Sequence, residues 1–183
     1  AWGDAYQTRN ATSPLYERRG PFWHSFIEQY APNSILEVGC GVGGNLRHLQ
    51  TVKHIIGLEV NERAGLLANE YADLIMKGSV VDIPVVAPTF WMVFSVGVLI
   101  HVAPADVTKA IAEMFRVSSK HVAMLEYQAA EDTTLIYHGE SAALWKRPWE
   151  KIVKRVMGLE PIEHKVLGPE QGFDNLDLWV FEK

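Results

Sequence analysis

Short apolar, β-branched runs alternate with stretches of helical periodicity along most of the chain, the pattern of an α/β fold built on a parallel sheet. Ser34–Val38 predicts a first strand, followed by a glycine-rich turn and a helix near Gly44–Leu49. His54–Leu58 predicts a second strand, after which Asn61 caps a helix running to about Tyr71. Leu74–Met76 and Met92–Val96 predict the third and fourth strands. Over Ala105–Phe115, the residues Val107, Ala110, Ile111, Met114 and Phe115 fall on one helical face. His121–Glu126 predicts a fifth strand and Trp149–Val156 a helix. Ile162–Leu167 and Leu176–Phe181, linked through Gly168-Pro169, predict a closing pair of strands.

No internal repeat, low-complexity tract or Ser/Gly linker divides the chain, and 183 residues suit one domain spanning 1–183. The uncharged run from Ile83 to Ala105 has the length of a membrane span, which needs ~20 apolar residues. Pro84, Pro88 and Pro104 break it, so a buried strand with its following turn is expected and no membrane association. The opening Ala1-Trp2-Gly3-Asp4 has neither the basic head nor the apolar stretch of a secretory signal, so a cytoplasmic location is expected. Seventeen Lys+Arg against 22 Asp+Glu give a net charge of −5, which argues against a nucleic-acid partner. The lone Cys40 excludes an internal disulfide and a cysteine-rich metal module, and points to a reducing compartment.

Trp2, Tyr6, Tyr16, Phe22, Trp23, Phe26 and Tyr30 crowd the first 30 residues. Two readings fit: a helix packed on the sheet edge, or a lid over a ligand site.

The stretch Ser34-Ile35-Leu36-Glu37-Val38-Gly39-Cys40-Gly41-Val42-Gly43-Gly44 carries the most chemistry. Glycines at a strand-to-helix turn let the backbone approach a ligand. Gly39, Gly41 and Gly44 satisfy G-x-G-x-x-G, while Gly39, Gly41 and Gly43 satisfy G-x-G-x-G. Glu59 ends the second strand, where an acid accepts both hydroxyls of a ribose, whether of NAD or of S-adenosylmethionine. Glu37 discriminates between them: a carboxylate just before the first glycine suits a cofactor with an ammonium at its near end and repels a pyrophosphate. The chain also lacks room for the second domain of a nicotinamide enzyme.

With these features the sequence resembles the class I S-adenosylmethionine-dependent methyltransferases over nearly its whole length. Leu36–Gly43 is similar to their first motif, Gly57-Leu58-Glu59 to the second and Gly78–Ile83 to the third, whose acid faces the adenine amine. The fourth strand, Val93–Gly97, would border the methyl group. The resemblance implies a Rossmann-like, doubly wound sheet of seven strands, mostly parallel with an antiparallel last strand. It implies cofactor contacts from Glu37, Gly39, Cys40, Gly41 and Gly43, from Glu59 and Val60, from Asp82 and Ile83, and from Ser95 and Val96. A narrower resemblance, to the methylases associated with pseudaminic acid biosynthesis, lies in Gly97–Pro104, Leu125-Glu126-Tyr127, Tyr137-His138-Gly139, Leu144–Arg147 and the opening Gly3–Asn10. It adds Tyr6, Arg9 and Asn10 as a flap over the cofactor and a sugar or sugar-linked acceptor. Gln128-Ala129-Ala130 departs from the Asn/Pro-containing stretch of that family.

Other methyltransferase chemistries are excluded by missing motifs. Ser95-Val96-Gly97-Val98 lacks the Asn/Asp-Pro-Pro-aromatic signature of enzymes that methylate a flipped base, and no Pro-Cys pair supplies a thiol nucleophile. The acids of a metal-dependent enzyme are absent at the ends of strands four and five except for Glu126, so no metal is expected. His101, just beyond strand four, is the candidate general base, with capping or packing as its alternative. Tyr127, just past strand five, is either a second polar group at the same edge or a packed ring. The basic cluster Lys146, Arg147, Lys151, Lys154 and Arg155 is either a solvated helix face or a site for a substrate carboxylate or phosphate, with Tyr137, Lys146 and Arg147 as its acceptor contacts. Residues 1–30 thus form a lid or packing segment and 127–149 a substrate-side insertion. The expected activity is methyl transfer from S-adenosylmethionine to a small molecule. A methylase of a small amine or carboxylate, a binding module without turnover, and a nicotinamide oxidoreductase remain as alternatives.

Overall fold

Strands β1 (Ser34–Val38), β2 (His54–Glu59), β3 (Leu74–Lys77), β4 (Phe90–Val96) and β5 (Ser118–Glu126) pair in parallel in the order β3-β2-β1-β4-β5. A separate antiparallel hairpin, β6 (Thr133–Tyr137) and β7 (Glu140–Lys146), follows β5. Strand β8 (Glu163–Leu167) and strand β9 (Leu176–Glu182) complete a seven-stranded sheet, with β9 antiparallel to both β5 and β8. This is the Rossmann-like order expected from the sequence, in a computed structural model that describes residues 14–137 and 140–183.

The central strands are apolar on both faces because helices cover both. On one face Leu36, Val38, Val93, Val122, Met124, Trp179 and Phe181 meet α4 (Val107–Val117) and α5 (Trp149–Met157), through side chains such as Met114, Phe115 and Trp149. Earlier in the chain lie α1 (Pro14–Arg18), α2 (Gly20–Tyr30) and α3 (Glu62–Ala68). On the other face Ile35, Phe94, Leu125, Leu178 and Val180 meet Trp23 and Phe26 of α2. The aromatic lead segment therefore packs on a sheet face and not on an edge, with Trp23 and Phe94 rings 5.0 Å apart. No helix among the described residues is long and apolar enough to cross a membrane, and the apolar run around Phe90–Val96 is a buried strand.

Two local expectations change. The helix expected near Gly44–Leu49 contracts to a single 3-10 turn, Leu46–His48. Gly44 lies against the Tyr16 ring, Asn45 turns its amide to Glu37, and Leu46 and Leu49 are wholly buried, so packing holds the turn without helical propagation. The insertion 127–149 contains the β6–β7 hairpin, whose alternation was overshadowed by its aromatic and basic residues.

The glycine turn shows why its residues are needed. Gly39 has φ +67°, and a Cβ there would stand 2.5 Å from a Val98 methyl in the turn after β4. Gly39→Ala is therefore expected to destabilise by more than about 1 kcal/mol in urea unfolding, since Ala suits neither the left-handed backbone nor the contact. Adding Val98→Ala should recover only part of the loss, because it relieves the clash and leaves the backbone strain.

Candidate functional site

A cavity of about 790 Å³ opens at the carboxyl ends of β1 and β4, the switch point where a doubly wound sheet takes its ligands. One side is made by the glycine turn and the end of β2. Gly39, Cys40 and Gly41 line it, with Glu37 beneath and Glu59 and Val60 beside. The Gly39 and Cys40 N–H groups both donate to Leu58 O, at 2.7 and 3.1 Å, which seats the turn on β2. Glu59 stiffens the same wall: its Oε2 accepts from Gly41 N–H at 2.9 Å and its Oε1 from Asn61 N–H at 2.8 Å.

Glu37 is the electrostatic centre. It is 1% exposed, and its Oε1 accepts from Asn45 Nδ2 at 2.6 Å. Asn45 is aimed by Arg19 Nη1 and Trp23 Nε1, which donate to its Oδ1 at 2.8 and 3.3 Å. Glu37 Oε2 has no hydrogen-bond partner among the described residues. Burial, with Glu59 nearby, pushes the Glu37 carboxyl up to about 8, against the pull of Asn45 and Arg19. An orphaned buried oxygen on the wall of a cavity fits a cationic nitrogen of a ligand. Cys40 also lines the wall, and burial raises its thiol well above its ordinary value, so it stays a neutral packing group.

The opposite side belongs to the turn after β4, the end of β5 and the hairpin. Gly97, Ile100, His101 and Val102 follow Val96 along this wall. His101 is exposed at the rim of the cavity, and the protein packed around it lowers its imidazole pKa, which favours the neutral form that can accept a proton. Tyr127 lines the cavity, and its hydroxyl donates to Asp174 Oδ2 at 3.3 Å. Leu135 and Leu144 bring the hairpin to the cavity, and Lys146 joins them with Nζ 5.4 Å from the Tyr127 ring centre.

Several expected contacts lie elsewhere. Arg147 is 1% exposed and spends its guanidinium on backbone: Nη1 donates to Leu99 O at 2.9 Å and Nη2 to Val102 O at 2.6 Å. Lys146, at the end of its strand, lines the cavity, and its neighbour Arg147 turns inward. The rest of the basic cluster is solvated on α5, where Lys154 pairs with Glu160. Ser95 is wholly buried beneath the cavity, donating Oγ–H to Glu126 Oε1 at 2.8 Å. Asp82 and Ile83 miss the cavity because the chain reverses at Ser79, whose carbonyl accepts Asp82 N–H at 3.0 Å. Ile83 turns into the core, and its N–H donates to Glu113 Oε2 at 2.8 Å. Gly78, Ser79 and Val80 line the cavity in their place. Gly43 is a packing glycine: a Cβ there would lie 2.8 Å from the Tyr71 ring.

Tyr6, Arg9 and Asn10 lie outside the described residues, as does the side chain of Tyr137. Sequence reasoning missed Arg19, Asn45, Ser79 and Asp174. Asn45 had a signal, since a carboxylate buried before a glycine turn requires a polar partner close after it. The other three become neighbours of the site only through tertiary folding.

Residues 35–121 match the methyltransferase domain family. No curated protein matches the sequence. Solved structures of similar fold include 1,6-didemethyltoxoflavin-N1-methyltransferase from Burkholderia thailandensis, with bound 1,6-didemethyltoxoflavin and S-adenosylhomocysteine. Its TM-score is 0.75 at 11% identity, over 97% of this chain and 83% of that one. The PH0226 protein from Pyrococcus horikoshii OT3 has a TM-score of 0.72 at 15% identity, over 94% and 93% of the two chains. Magnesium protoporphyrin IX methyltransferase from Synechocystis PCC 6803, with bound S-adenosylmethionine, has a TM-score of 0.68 at 11% identity, over 91% and 80%.

The Glu37 carboxyl makes the stability of the ligand-free protein depend on pH. Its folded pKa of about 8 lies above its ordinary 4.5, so the folded state holds the extra proton between those values. That stabilisation is complete below pH about 4.5 and is lost as pH rises through about 8. Glu126, pushed up to about 7 by burial, acts in the same direction. Chemical unfolding followed from pH 5 to 9 should therefore show a loss of at least about 1 kcal/mol, one pKa unit being worth about 1.4 kcal/mol. Glu37→Gln should flatten the upper part of the curve.

Proposed function

We propose that the chain, whose residues 35–121 match the methyltransferase domain family, is an S-adenosylmethionine-dependent methyltransferase that methylates a sugar or sugar-linked small molecule in the cytoplasm. The observation that carries the assignment of the cavity is Glu37, buried with one oxygen unpartnered at its wall. S-adenosylmethionine supplies a methyl group on a sulfonium, a good leaving group for in-line displacement. Glu37 accepts from the ammonium of the methionine part. Glu59 accepts from the ribose hydroxyls, since each of its oxygens keeps a lone pair after binding Gly41 and Asn61. Gly39 and Gly41 admit the cofactor close to the backbone, with Cys40, Val60 and Val96 as its walls.

On the acceptor side, neutral His101 takes the proton from an acceptor hydroxyl as the oxygen–methyl bond forms. Tyr127 orients the acceptor together with Tyr137, and Lys146 holds an anionic group on it. The sugar reading is supported by the motifs around Gly97–Pro104, Leu125–Tyr127 and Leu144–Arg147. The apolar side chains of Ile100, Leu135 and Leu144 favour a second reading, a flat acceptor with one anionic edge.

Incubation with isotopically labelled S-adenosylmethionine and panels of sugars, nucleotide sugars, amines, carboxylates and planar heterocycles, followed by mass spectrometry, separates the readings. A labelled sugar supports the first and a labelled heterocycle the second. Stoichiometric binding with no product from any panel would reduce the chain to a binding module. In titration calorimetry Glu59→Ala should weaken S-adenosylmethionine binding at least about tenfold, since hydrogen bonds to a charged group are worth about 1.5–3 kcal/mol. Unchanged affinity would remove Glu59 from the site. Lys146→Ala should raise KM for an anionic acceptor and leave cofactor binding unchanged.

A further inference from the structure

The turn that follows β4 is gripped at both ends by a buried ionisable side chain. At its start, Glu126 Oε1 accepts from the N–H groups of Val98 and Leu99, each at 3.1 Å. At its end, Arg147 donates to Leu99 O and Val102 O at 2.9 and 2.6 Å. Both side chains are buried, at 0% and 1% exposure. Between the two grips lie Ile100 and His101, which face the cavity. The turn's own bonds are few: His101 N–H donates to Val98 O at 3.0 Å and Val102 N–H to Leu99 O at 3.1 Å.

A carboxylate on the free amides and a guanidinium on the free carbonyls match the polarity of the turn. Hydrogen bonds to ionised groups are roughly twice as strong as neutral ones. Burying a carboxyl and a guanidinium to hold three residues costs desolvation, and water could satisfy the same backbone groups at a solvated turn. What the charged grip adds is a single fixed geometry. Arg147 is fixed in turn, with the rings of Trp145 and Trp149 each centred 5.4 Å from its Cζ. It also sits at the foot of the β6–β7 hairpin, whose Leu144 and Lys146 line the same cavity. The hairpin and the His101 turn are therefore joined through one side chain.

We propose that Glu126 and Arg147 are positioning residues for methyl transfer, a two-ended clamp that fixes His101 against the acceptor and couples it to the hairpin. The clamp rests on the proton-accepting role given to His101 above. Neither residue touches the acceptor. Their work is orientation, to which rates are steeply sensitive.

Arg147→Lys, Glu126→Gln and Glu126→Ala in the full chain test the clamp by three measurements. The first is the His101 titration, followed by NMR in the ligand-free protein. The second is kcat and acceptor KM, and the third cofactor affinity by calorimetry. A lysine cannot serve both carbonyls in the fork geometry, so Arg147→Lys should lower kcat at least about tenfold, with acceptor KM and cofactor affinity within about threefold. The His101 titration should shift from its wild-type position as the ring leaves its fixed place on the turn. Glu126→Gln keeps one accepting oxygen and should retain more of the rate than Glu126→Ala. Should Arg147→Lys lower the melting temperature while the His101 titration and kcat stay at wild-type values, both residues are structural supports and the clamp is refuted. A wild-type protein that binds no S-adenosylmethionine would refute the proposed function instead. The NMR titration would still decide whether the two residues hold His101.

Discussion

A carboxylate buried under a glycine turn, with one oxygen left unpartnered, sets the terms for everything around it. An unpaired charge in such a place costs several kcal/mol or shifts its own pKa, and Glu37 shows the second response, rising to about 8. The fold answers half of its demand through Asn45. That amide holds its orientation only because Arg19 and Trp23 bind its oxygen, which commits α1, α2 and the 3-10 turn to a single arrangement. Trp23 in turn packs on Phe94 of β4. The aromatic packing of the lead segment and the electrostatics of the cavity are thus one construction. The other oxygen, unpartnered among the described residues, belongs to a side chain that lines the cavity.

The same economy of contact joins the two halves of the site. β1 and β4 are neighbours in the sheet, and their connections leave on opposite faces, which opens a crevice between the turns that follow them. The crevice is narrow at Gly39, where the absent Cβ leaves space for Val98. The turn carrying His101 therefore rests on the glycine turn, and Glu126 and Arg147 hold its amides and carbonyls. Charge of both signs lines the cavity: Glu37 and Glu59 with Arg19 on the side of the glycine turn, and Lys146 with Asp174 on the side of Tyr127.

Much of this was legible in the sequence wherever the signal is local. The five parallel strands follow from apolar runs buried on both faces, and the closing pair from the Gly168-Pro169 punctuation. Asn61 accepts the Ala64 N–H at 3.0 Å, the cap its residue type implies. Glu37 before the first glycine and Glu59 at the end of β2 both stand at the cavity, because the end of a parallel strand has a determined place in such a sheet. The β6–β7 hairpin was hidden for the opposite reason: its residues read as an acceptor loop rich in aromatic and basic groups, and alternation over so few positions is a weak signal.

The sequence by itself determined the strand order's chemistry, the glycine turn and the acids that flank it, since spacing along the chain translates directly into position at a strand end. Only the tertiary structure decided which polar side chains face the cavity. Lys146 and Arg147 are adjacent and equally basic, yet strand alternation and the orphan carbonyls of Leu99 and Val102 send one to the cavity and bury the other. Ser95 donates to Glu126 beneath the sheet end, a pairing across 31 positions that no local pattern encodes. Asp82 is turned away by a chain reversal at Ser79 that hydrogen bonds define and composition does not. The physical reason is common to all three cases. A buried polar group goes where its hydrogen bonds are met, and those partners lie on distant segments.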